Sequence, residues 1–308
     1  MSRMFHSFSR DSALGRIEAA LEALWPEHGK FIEQSFAERS PDVTELSMEV
    51  AELIERIAGG DLARLVRGYR WMCEMFLSEE LEFRRTGHYR YASFADTNRE
   101  VYQDQALMAR YMDGLLLSQV LFSNHAKAVA FYRTFLARNR QGYQHLEIGP
   151  GHGLLLYYGA VDPRCAAVTA WDVSPTSLDH TRSCLQSLRI ERPVSLAVND
   201  ILATSGKGEY DSVVCSEVLE HLETPKEALR SIRSVLSAEG RLFVNVPINS
   251  PAIDHIYLLR TPEEAFDLVT SAGLEILDTC IAPGSGNTAE KARRRGTVIS
   301  CAMVARRA

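Results

Sequence analysis

Residues 216–222, SEVLEHL, place two glutamates and a histidine close together as Glu217, Glu220 and His221. On an α-helix this i, i+3, i+4 spacing brings the three side chains to one face. Carboxylates and imidazoles are ligands that Mg²⁺, Mn²⁺, Fe²⁺ and Zn²⁺ accept in proteins, so the segment is a candidate metal or catalytic site. The same residues are also typical of a plain helix start, where acidic side chains face the positive end of the helix dipole.

A second histidine lies further along the chain. His255 follows the fifth strand-like run, in the stretch PAIDHIYLLRTPEEAFDLV. A bound ion would orient a substrate hydroxyl and lower its pKa. Without a metal, His221 or His255 can serve as a general base, and His255 can equally be a loop histidine with no chemistry.

The elements that must position these residues are strands, and no convincing strand precedes Gln144. After it, short apolar runs alternate with helical stretches such as SPTSLDHTRSCLQSL and TPKEALRSIRSVLS. The predicted strands are 145–150, 166–173, 193–198, 210–218 and 240–247, followed by LEILDTCIA and GTVISCAMVA as a closing pair around the loop PGSGNTAEKARRRG. This pattern predicts an α/β fold with a doubly wound, mostly parallel, seven-stranded Rossmann-like sheet. Ligands of such sheets bind at the carboxyl ends of the strands, where all of the motifs fall.

The segment EIGPGHG follows the first predicted strand and opens a helix. Gly149 and Gly151 match the start of the dinucleotide fingerprint G-x-G-x-x-G, but Leu154 occupies its third glycine position. A nicotinamide dehydrogenase is therefore a distant interpretation. The carboxylate of Glu147 would repel a pyrophosphate and would suit a cationic ligand, such as the amino and sulfonium groups of S-adenosylmethionine.

These residues together resemble the class I S-adenosylmethionine-dependent methyltransferases, and the resemblance covers residues 141–308. It implies that the acidic glycine loop holds the methionine part of the cofactor and that Asp172 binds the ribose hydroxyls. It also implies that Asp200 lies toward the adenine amine and that the end of the fourth strand lies beside the cofactor. The cofactor positions implied in this way are Glu147, Gly149, Gly151, Gly153, Asp172, Val173, Asp200, Ile201, Ser216 and Glu217.

The E-x-x-E-H segment resembles two metal-dependent branches of the same family. These are the small-RNA 2′-O-methyltransferases and the ubiquinone-pathway O-methyltransferases. The resemblance implies a divalent metal ion on two glutamates and a histidine, with a later histidine. The predicted metal ligands implied in this way are Glu217, Glu220, His221 and His255. A pocket without metal stays open as the alternative interpretation.

Residues 1–140 are predicted to form an all-helical domain, which serves as a lid or substrate domain or as a dimerisation domain. Apolar residues there recur at three- and four-residue spacing, with Gly59-Gly60 as a helix stop and Asp61 as the next cap. Tyr102 and Tyr111 are candidates to cover the cofactor, as lid tyrosines do in similar enzymes. The alternative is that they are ordinary, partly buried tyrosines.

The overall composition is that of a globular protein, with 308 residues, 46% hydrophobic and 24% charged. A net charge of −6 argues weakly against a nucleic-acid partner. The six cysteines form no CxxC pair, which favours a reducing cytoplasmic compartment. Residues 1–16 show no apolar signal core, and no apolar run is long enough to span a membrane.

The predicted function is methyl transfer to a small molecule, with S-adenosylmethionine as cofactor and a divalent metal ion as a second candidate cofactor. The alternatives are an RNA 2′-O-methyltransferase and a non-catalytic, cofactor-binding partner subunit. Salt-dependent RNA binding would favour the first alternative. The expected partners are a small-molecule substrate and a second copy of the chain bound through the helical domain.

Overall fold

The computed structural model describes residues 8–206 and 208–308 and shows a helical N-terminal region followed by a sheet. Residues 1–7, which belong to the segment assessed for a signal core, and Lys207 lie outside the described residues. A π-helical turn covers Asn98–Tyr102. The helices α1 to α7 span Ala13–Leu24, Gly29–Ala37, Pro41–Ala58, Leu62–Thr86, Phe94–Thr97, Gln105–Leu121 and Ser123–Ala137.

Local sequence signals set the ends of these helices. α3 ends at Gly59, which adopts the left-handed conformation with a φ of 60°, where glycine carries no steric penalty. The side chain of Asp61 then accepts a hydrogen bond from the backbone N–H of Arg64 and caps α4. The predicted helix stop and the predicted cap are thus both confirmed.

The C-terminal region forms one seven-stranded sheet with the order β3-β2-β1-β4-β5-β7-β6. The strands β1 to β7 span Tyr143–Ile148, Cys165–Asp172, Val194–Val198, Tyr210–Ser216, Leu236–Ile248, Leu274–Pro283 and Ile299–Arg307. β7 runs antiparallel to both of its neighbours, and the other pairs are parallel. The predicted doubly wound, mostly parallel α/β fold is confirmed.

Helices flank both faces of the sheet, as its parallel connections require. The helices α8 to α12 span Leu154–Val161, Pro175–Ser187, Pro225–Val235, Pro262–Ser271 and Ala289–Arg295. α12 lies inside the stretch predicted as a plain loop before the last strand. Thr288 caps its start, and Gly296 ends it in the left-handed conformation.

One apolar core joins the N-terminal helices to the sheet. The ring centroids of Tyr132 and Phe135 on α7 lie 5.3 Å and 5.7 Å from that of Phe243 on β5. A second core lies against other side chains of the sheet and includes Leu229 and Ile232 of α10. α7 thus covers the sheet although it precedes the predicted domain boundary at residue 140.

Two further observations concern the whole described chain. All six cysteines are free thiols. No helix in the described part of the chain combines the length and the apolar character needed to cross a bilayer.

Candidate cofactor and metal site

The candidate site lies at the carboxyl ends of β1 and β4, where the strand order changes direction. β1 ends at Ile148 and leads into the glycine loop, and β4 ends at Ser216 and leads into the SEVLEHL segment. Connections on the two sides of such a point run to opposite faces of the sheet, which leaves a crevice for a ligand. The residues predicted from the two loops therefore meet at one edge of the sheet.

Glu147 and the glycine loop form the β1 side of this crevice. Glu147 is 3% exposed, and its Oε2 has no hydrogen-bond partner among the described residues. Burial raises the pKa of its carboxyl group well above the ordinary value. Gly149, Gly151 and Gly153 have φ values of 65°, 51° and 71°, so the loop takes a path that a side chain would strain. The orphaned carboxylate fits a cationic partner supplied by a ligand.

Asp172 and Val173 stand at the end of β2, next to β1. The Asp172 carboxylate accepts hydrogen bonds from the backbone N–H of Ser174 at 2.8 Å and from the Ser177 hydroxyl at 2.7 Å. Burial raises the pKa of Asp172, and these two bonds oppose the rise. The bonds fix the carboxylate and leave further lone pairs for two ligand hydroxyls. Val173 is 50% exposed beside it.

Asp200 and Ile201 follow β3 and differ in their surroundings. Asp200 is exposed and accepts a hydrogen bond from the backbone N–H of Leu202 at 2.8 Å. It caps the 3₁₀ turn Ile201–Ala203. The Ile201 side chain is 5% exposed and packs in the second core. The carboxylate of Asp200, predicted to lie toward the adenine amine, is thus at the surface, and the buried side chain of Ile201 supports the loop.

The SEVLEHL segment does not form the α-helix on which its spacing was interpreted. Leu219–His221 form one 3₁₀ turn, and α10 begins only at Pro225. Glu217 has a φ of 54°, a left-handed conformation that costs a non-glycine residue free energy and breaks a right-handed helix. The prediction that one helix face brings Glu217, Glu220 and His221 together is therefore wrong.

A different contact brings the predicted ligands together. The backbone N–H groups of Ile256 and Tyr257 both donate to the Glu220 carbonyl oxygen at 2.9 Å. This docks the loop after β5 onto the loop after β4. Glu220, His221 and His255 each then offer a ligand atom, and these atoms lie within 4.8 Å of one another.

The hydrogen bonds of the two histidines leave matching nitrogen atoms free. His255 Nδ1 lies 2.6 Å from the carbonyl oxygen of Ser250, and His221 Nδ1 lies 3.0 Å from that of Asp254. Because a carbonyl oxygen only accepts, both Nδ1 atoms donate, which leaves both Nε2 atoms as bare lone pairs. His221 Nε2 lies 3.8 Å from Glu220 Oε1. Donation from Nδ1 to a backbone carbonyl is the usual support of a metal-binding imidazole.

The Glu220 carboxylate gives an independent test of whether a cation fits here. Glu220 is 1% exposed, and neither of its oxygens has a hydrogen-bond partner in the described part of the chain. Burial, and then the nearby Glu217, raise its pKa well above the ordinary value. Burial also lowers the pKa of His255 to about 4. A buried carboxylate with two orphaned oxygens beside two imidazoles fits a divalent ion.

Glu217, the fourth predicted ligand, does not belong to this group of atoms. Its Oε1 accepts a hydrogen bond from the side-chain amide of Asn245 at 2.7 Å. The same amide lies 3.4 Å from the hydroxyl of Ser216. Burial raises the pKa of the Glu217 carboxyl group. Ser216 and Glu217 thus form the β4 wall of the crevice.

Tyr102 and Tyr111 both reach the site, but their hydroxyls contact Asp254. Tyr111 donates to Asp254 Oδ1 at 3.1 Å, and Tyr102 donates to Oδ2 at 3.4 Å. The Tyr102 hydroxyl also lies 3.2 Å from His221 Nδ1. The N-terminal helical region therefore contributes side chains to the same edge of the sheet.

Sequence reasoning missed Asp254, Asn245 and Tyr89 as members of the site. Tyr89 accepts a hydrogen bond from the backbone N–H of Ser250 at 3.1 Å, and its ring centroid lies 5.9 Å from that of His255. Asp254 directly precedes His255 in the sequence, and this pairing was the one local signal that could have identified it.

Comparisons with known proteins match the C-terminal region. Residues 146–242 match the family model described as a methyltransferase domain. A ubiquinone biosynthesis O-methyltransferase of Xanthomonas campestris pv. campestris is 34% identical over 113 residues, which are 36% of this chain and 46% of the relative. The protein of the same name from Xanthomonas oryzae pv. oryzae is 32% identical over the same shares. The chain thus spans about half the length of the curated relatives it matches.

Among solved structures, mitomycin 7-O-methyltransferase MmcR is similar in fold. It superposes with a TM-score of 0.53 at 18% identity and covers 80% of this chain and 71% of its own. The family match lies within the sheet region that carries the glycine loop and the acidic residues at the ends of β1 and β2. On these grounds residues 146–242 are a methyltransferase domain of the class I S-adenosylmethionine-dependent family.

Proposed function

We propose that this protein transfers the methyl group of S-adenosylmethionine to an oxygen atom of a small molecule. The observation that carries the proposal is the meeting of two orphaned, buried carboxylates, Glu147 and Glu220, at one edge of a methyltransferase sheet. The first suits a cationic cofactor and the second suits a cation beside the substrate. The name of the curated Xanthomonas relatives, which are O-methyltransferases, supports oxygen as the acceptor.

In this proposal the cofactor lies along the carboxyl ends of β1 and β2. Glu147 accepts hydrogen bonds from the ammonium group of the methionine part, and this cation restores the charged form of the carboxylate. Asp172 accepts from the two ribose hydroxyls. The glycine loop lets the backbone approach the ligand closely. The residues of the β4 loop would then align an acceptor oxygen for in-line transfer of the methyl group.

The acceptor side of the site consists of Glu220, His221 and His255. These residues would hold a divalent ion, which when bound supplies a Lewis acid that lowers the pKa of a substrate hydroxyl. The two Nε2 lone pairs and the Glu220 carboxylate lie where they can orient such a hydroxyl or take up its proton. Tyr89 packs beside His255 and helps to close the pocket from the helical side.

A small substrate is favoured by the segment that covers this edge. In residues 87–104 the backbone N–H of Phe94 donates to the carboxylate of Glu223 at 3.0 Å, and Tyr102 contacts His221. These contacts join the helical region to the loop after β4 and support a covering role for it. A net charge of −6 also disfavours the electrostatic attraction that RNA binding needs.

The proposal is tested by calorimetry on the protein loaded with S-adenosylhomocysteine. Mg²⁺, Mn²⁺, Fe²⁺ and Zn²⁺ are titrated in turn into the wild type and into Glu220→Gln and His255→Ala. Glu18→Gln and His125→Ala are matched controls. Glu18 is 4% exposed on α1, and His125 is held by Ser118 on the neighbouring helix.

We expect micromolar binding of at least one ion in the wild type and in both controls, and its loss in both site variants. Retention of the same affinity in Glu220→Gln and His255→Ala would overturn the metal assignment. Binding of S-adenosylhomocysteine together with salt-dependent RNA binding would redirect the substrate from a small molecule to RNA.

A further inference from the structure

Asp254 is a buried carboxylate with an unusual set of neighbours. It lies in the loop between β5 and α11 and is 4% exposed. Two phenol hydroxyls, from Tyr111 and Tyr102, donate to its two oxygens at 3.1 Å and 3.4 Å. Its Oδ2 also lies 3.6 Å from the imidazole Nδ1 of His221. A buried carboxylate next to an imidazole can set which ring nitrogen carries the proton.

The His221 ring is oriented by Asp254 in two ways. Its Nδ1 lies 3.0 Å from the Asp254 carbonyl oxygen, and the carboxylate of the same residue lies on the same side of the ring. Both groups accept and neither donates, so they favour a proton on Nδ1. The opposite nitrogen, Nε2, then faces Glu220.

We propose that Asp254 is a positioning residue, held by the hydroxyls of Tyr102 and Tyr111, that fixes the His221 imidazole with Nδ1 protonated and Nε2 turned toward Glu220 and His255. The inference rests on the proposed function in one respect, the use of the histidine. A metal ion or a substrate hydroxyl would need an unprotonated Nε2 at this position. The contacts between Asp254 and His221 are present without any ligand.

Both tyrosines come from the helical region, which makes this region part of the site. Tyr102 ends the π-helical turn Asn98–Tyr102, and Tyr111 lies on the following helix, α6. A π-helical turn is rare and often occurs at functional sites, because it re-aims a side chain that a regular helix would point elsewhere. Tyr102 is half-buried, while Tyr111 is 2% exposed. The Asp254 carboxylate is therefore held by two hydrogen bonds, one from the half-buried Tyr102 and one from the buried Tyr111.

The chain contains a second buried tyrosine–aspartate pair that serves as a matched control. Tyr143 donates to Asp162 Oδ2 at 3.0 Å. Tyr143 begins β1, so this pair lies at the amino edge of the sheet, opposite the site. Asp162→Asn and Tyr143→Phe thus remove the same chemical groups without touching His221.

The experiment is ¹⁵N nuclear magnetic resonance of the histidine rings in the full chain, at a mildly alkaline pH where imidazole is neutral. The His221 signals are assigned by their loss in His221→Gln. The variants are Asp254→Asn, the double variant Tyr102→Phe/Tyr111→Phe, and the control variants Asp162→Asn and Tyr143→Phe. Tyr102→Phe alone is included because its side chain is half-buried and its loss is tolerated more easily than a core change.

We expect wild-type His221 to carry its proton on Nδ1 in nearly all molecules. Asp254→Asn keeps the backbone carbonyl as an acceptor, but its side-chain amide can donate to Nδ1, so the Nε2-protonated form should rise above its wild-type share. Tyr102→Phe and the double variant should shift the ratio in the same direction by less. Zn²⁺ affinity, measured by calorimetry, should fall about 10–100-fold in Asp254→Asn. The two control variants should change neither quantity.

An unchanged tautomer ratio in Asp254→Asn and in the tyrosine variants, with circular dichroism of a folded protein, would overturn the inference. If Asp254→Asn does not fold, the tautomer ratio of His221 in Tyr102→Phe is the test, and an unchanged ratio there would overturn the inference. Binding of S-adenosylhomocysteine is measured on the same samples. Its absence in the wild type would remove the proposed function but would leave the tautomer result intact, so the two failures are distinguishable.

Discussion

At the scale of single residues, Glu147 and Glu220 are carboxylates that folding leaves without partners. Each is almost fully buried and has at least one orphaned oxygen. Burying such a group costs free energy unless a ligand compensates it, which is why it marks a functional site. Glu147 was predictable because its role depends on one continuous segment of strand and loop, EIGPGHG, residues 147–153. Asp254 was not, since its contacts with Tyr102 and Tyr111 join positions 152 and 143 residues apart.

A buried histidine outside the site should make stability fall in acid. His145 on β1 is fully buried, and burial lowers its pKa from 6.5 to about 4, against a small opposing effect of Asp162. Between these two values the unfolded chain binds more protons than the folded chain, so stability decreases as the pH falls from 6.5 toward 4. The full contribution is about 3 kcal/mol at roughly 1.4 kcal/mol per pH unit.

His145→Asn removes this proton uptake. We expect it to lower the free energy of unfolding at neutral pH by about 1–3 kcal/mol through lost packing. The deficit relative to the wild type should shrink as the pH falls through the window. Urea unfolding of both proteins at neutral pH and near pH 4 measures this difference in the free energy of unfolding. A deficit of constant size at both pH values would contradict the account.

At the scale of elements, short local signals predicted the sheet well and the connections poorly. The strands were predictable because each is an apolar run that ends in glycine, proline or polar residues. α12 was missed because glycines and a proline surround it, although Thr288 and Gly296 are standard start and stop signals. The SEVLEHL spacing suggested a helix, but the left-handed φ of Glu217 and the docking of the next loop keep it a turn.

The glycine loop should not tolerate a side chain at its first glycine. A Cβ on Gly149 would lie 2.6 Å from Cγ2 of Val218, and its φ is 65°. Gly59 has a φ of 60° with nothing within 4 Å of a built Cβ. A side chain there meets the same backbone strain without a steric clash, so Gly59 is the control for strain alone. We expect Gly59→Ala to cost about 1 kcal/mol of stability. Gly149→Ala should cost about 1–3 kcal/mol more, through overpacking.

Binding separates the two glycine variants further. Calorimetry should show that Gly149→Ala lowers the affinity for S-adenosylhomocysteine at least about 10-fold, the effect of 1.4 kcal/mol. Gly59→Ala should leave the affinity unchanged. Equal effects of the two substitutions on stability and binding would mean that the glycine loop is not in contact with the ligand.

At the scale of the whole molecule, the helical and sheet regions are linked by a common core and a common site. The predicted boundary at residue 140 separates the two kinds of secondary structure, because β1 begins at Tyr143. It does not separate two independent hydrophobic cores, because Tyr132 and Phe135 of α7 pack against the sheet. A contact between elements distant in sequence cannot be inferred from periodicity alone. The homodimer through the helical domain stays a prediction.

A fragment that starts at residue 141 should therefore fold poorly, and one that starts at residue 122 should fold better. The shorter fragment exposes Phe243, which is 1% exposed in the full chain, whereas the longer one retains α7 over it. We expect cooperative urea unfolding only for the longer fragment. Near-ultraviolet circular dichroism provides the second measurement. Cooperative unfolding of the 141–308 fragment would show that the sheet domain is complete without α7.

The central claim is that the carboxyl edge of the sheet binds S-adenosylmethionine through Glu147 and Asp172. The most direct measurement is calorimetric titration of S-adenosylhomocysteine into the wild type, Glu147→Gln, Asp172→Asn and the buried-carboxylate control Glu18→Gln. The account predicts binding in the wild type and the control. It predicts a loss of about 10–100-fold in each site variant, the effect of a lost charge-assisted hydrogen bond of about 1.5–3 kcal/mol. No binding to the wild type at millimolar ligand, or equal affinity in all four proteins, would contradict the claim.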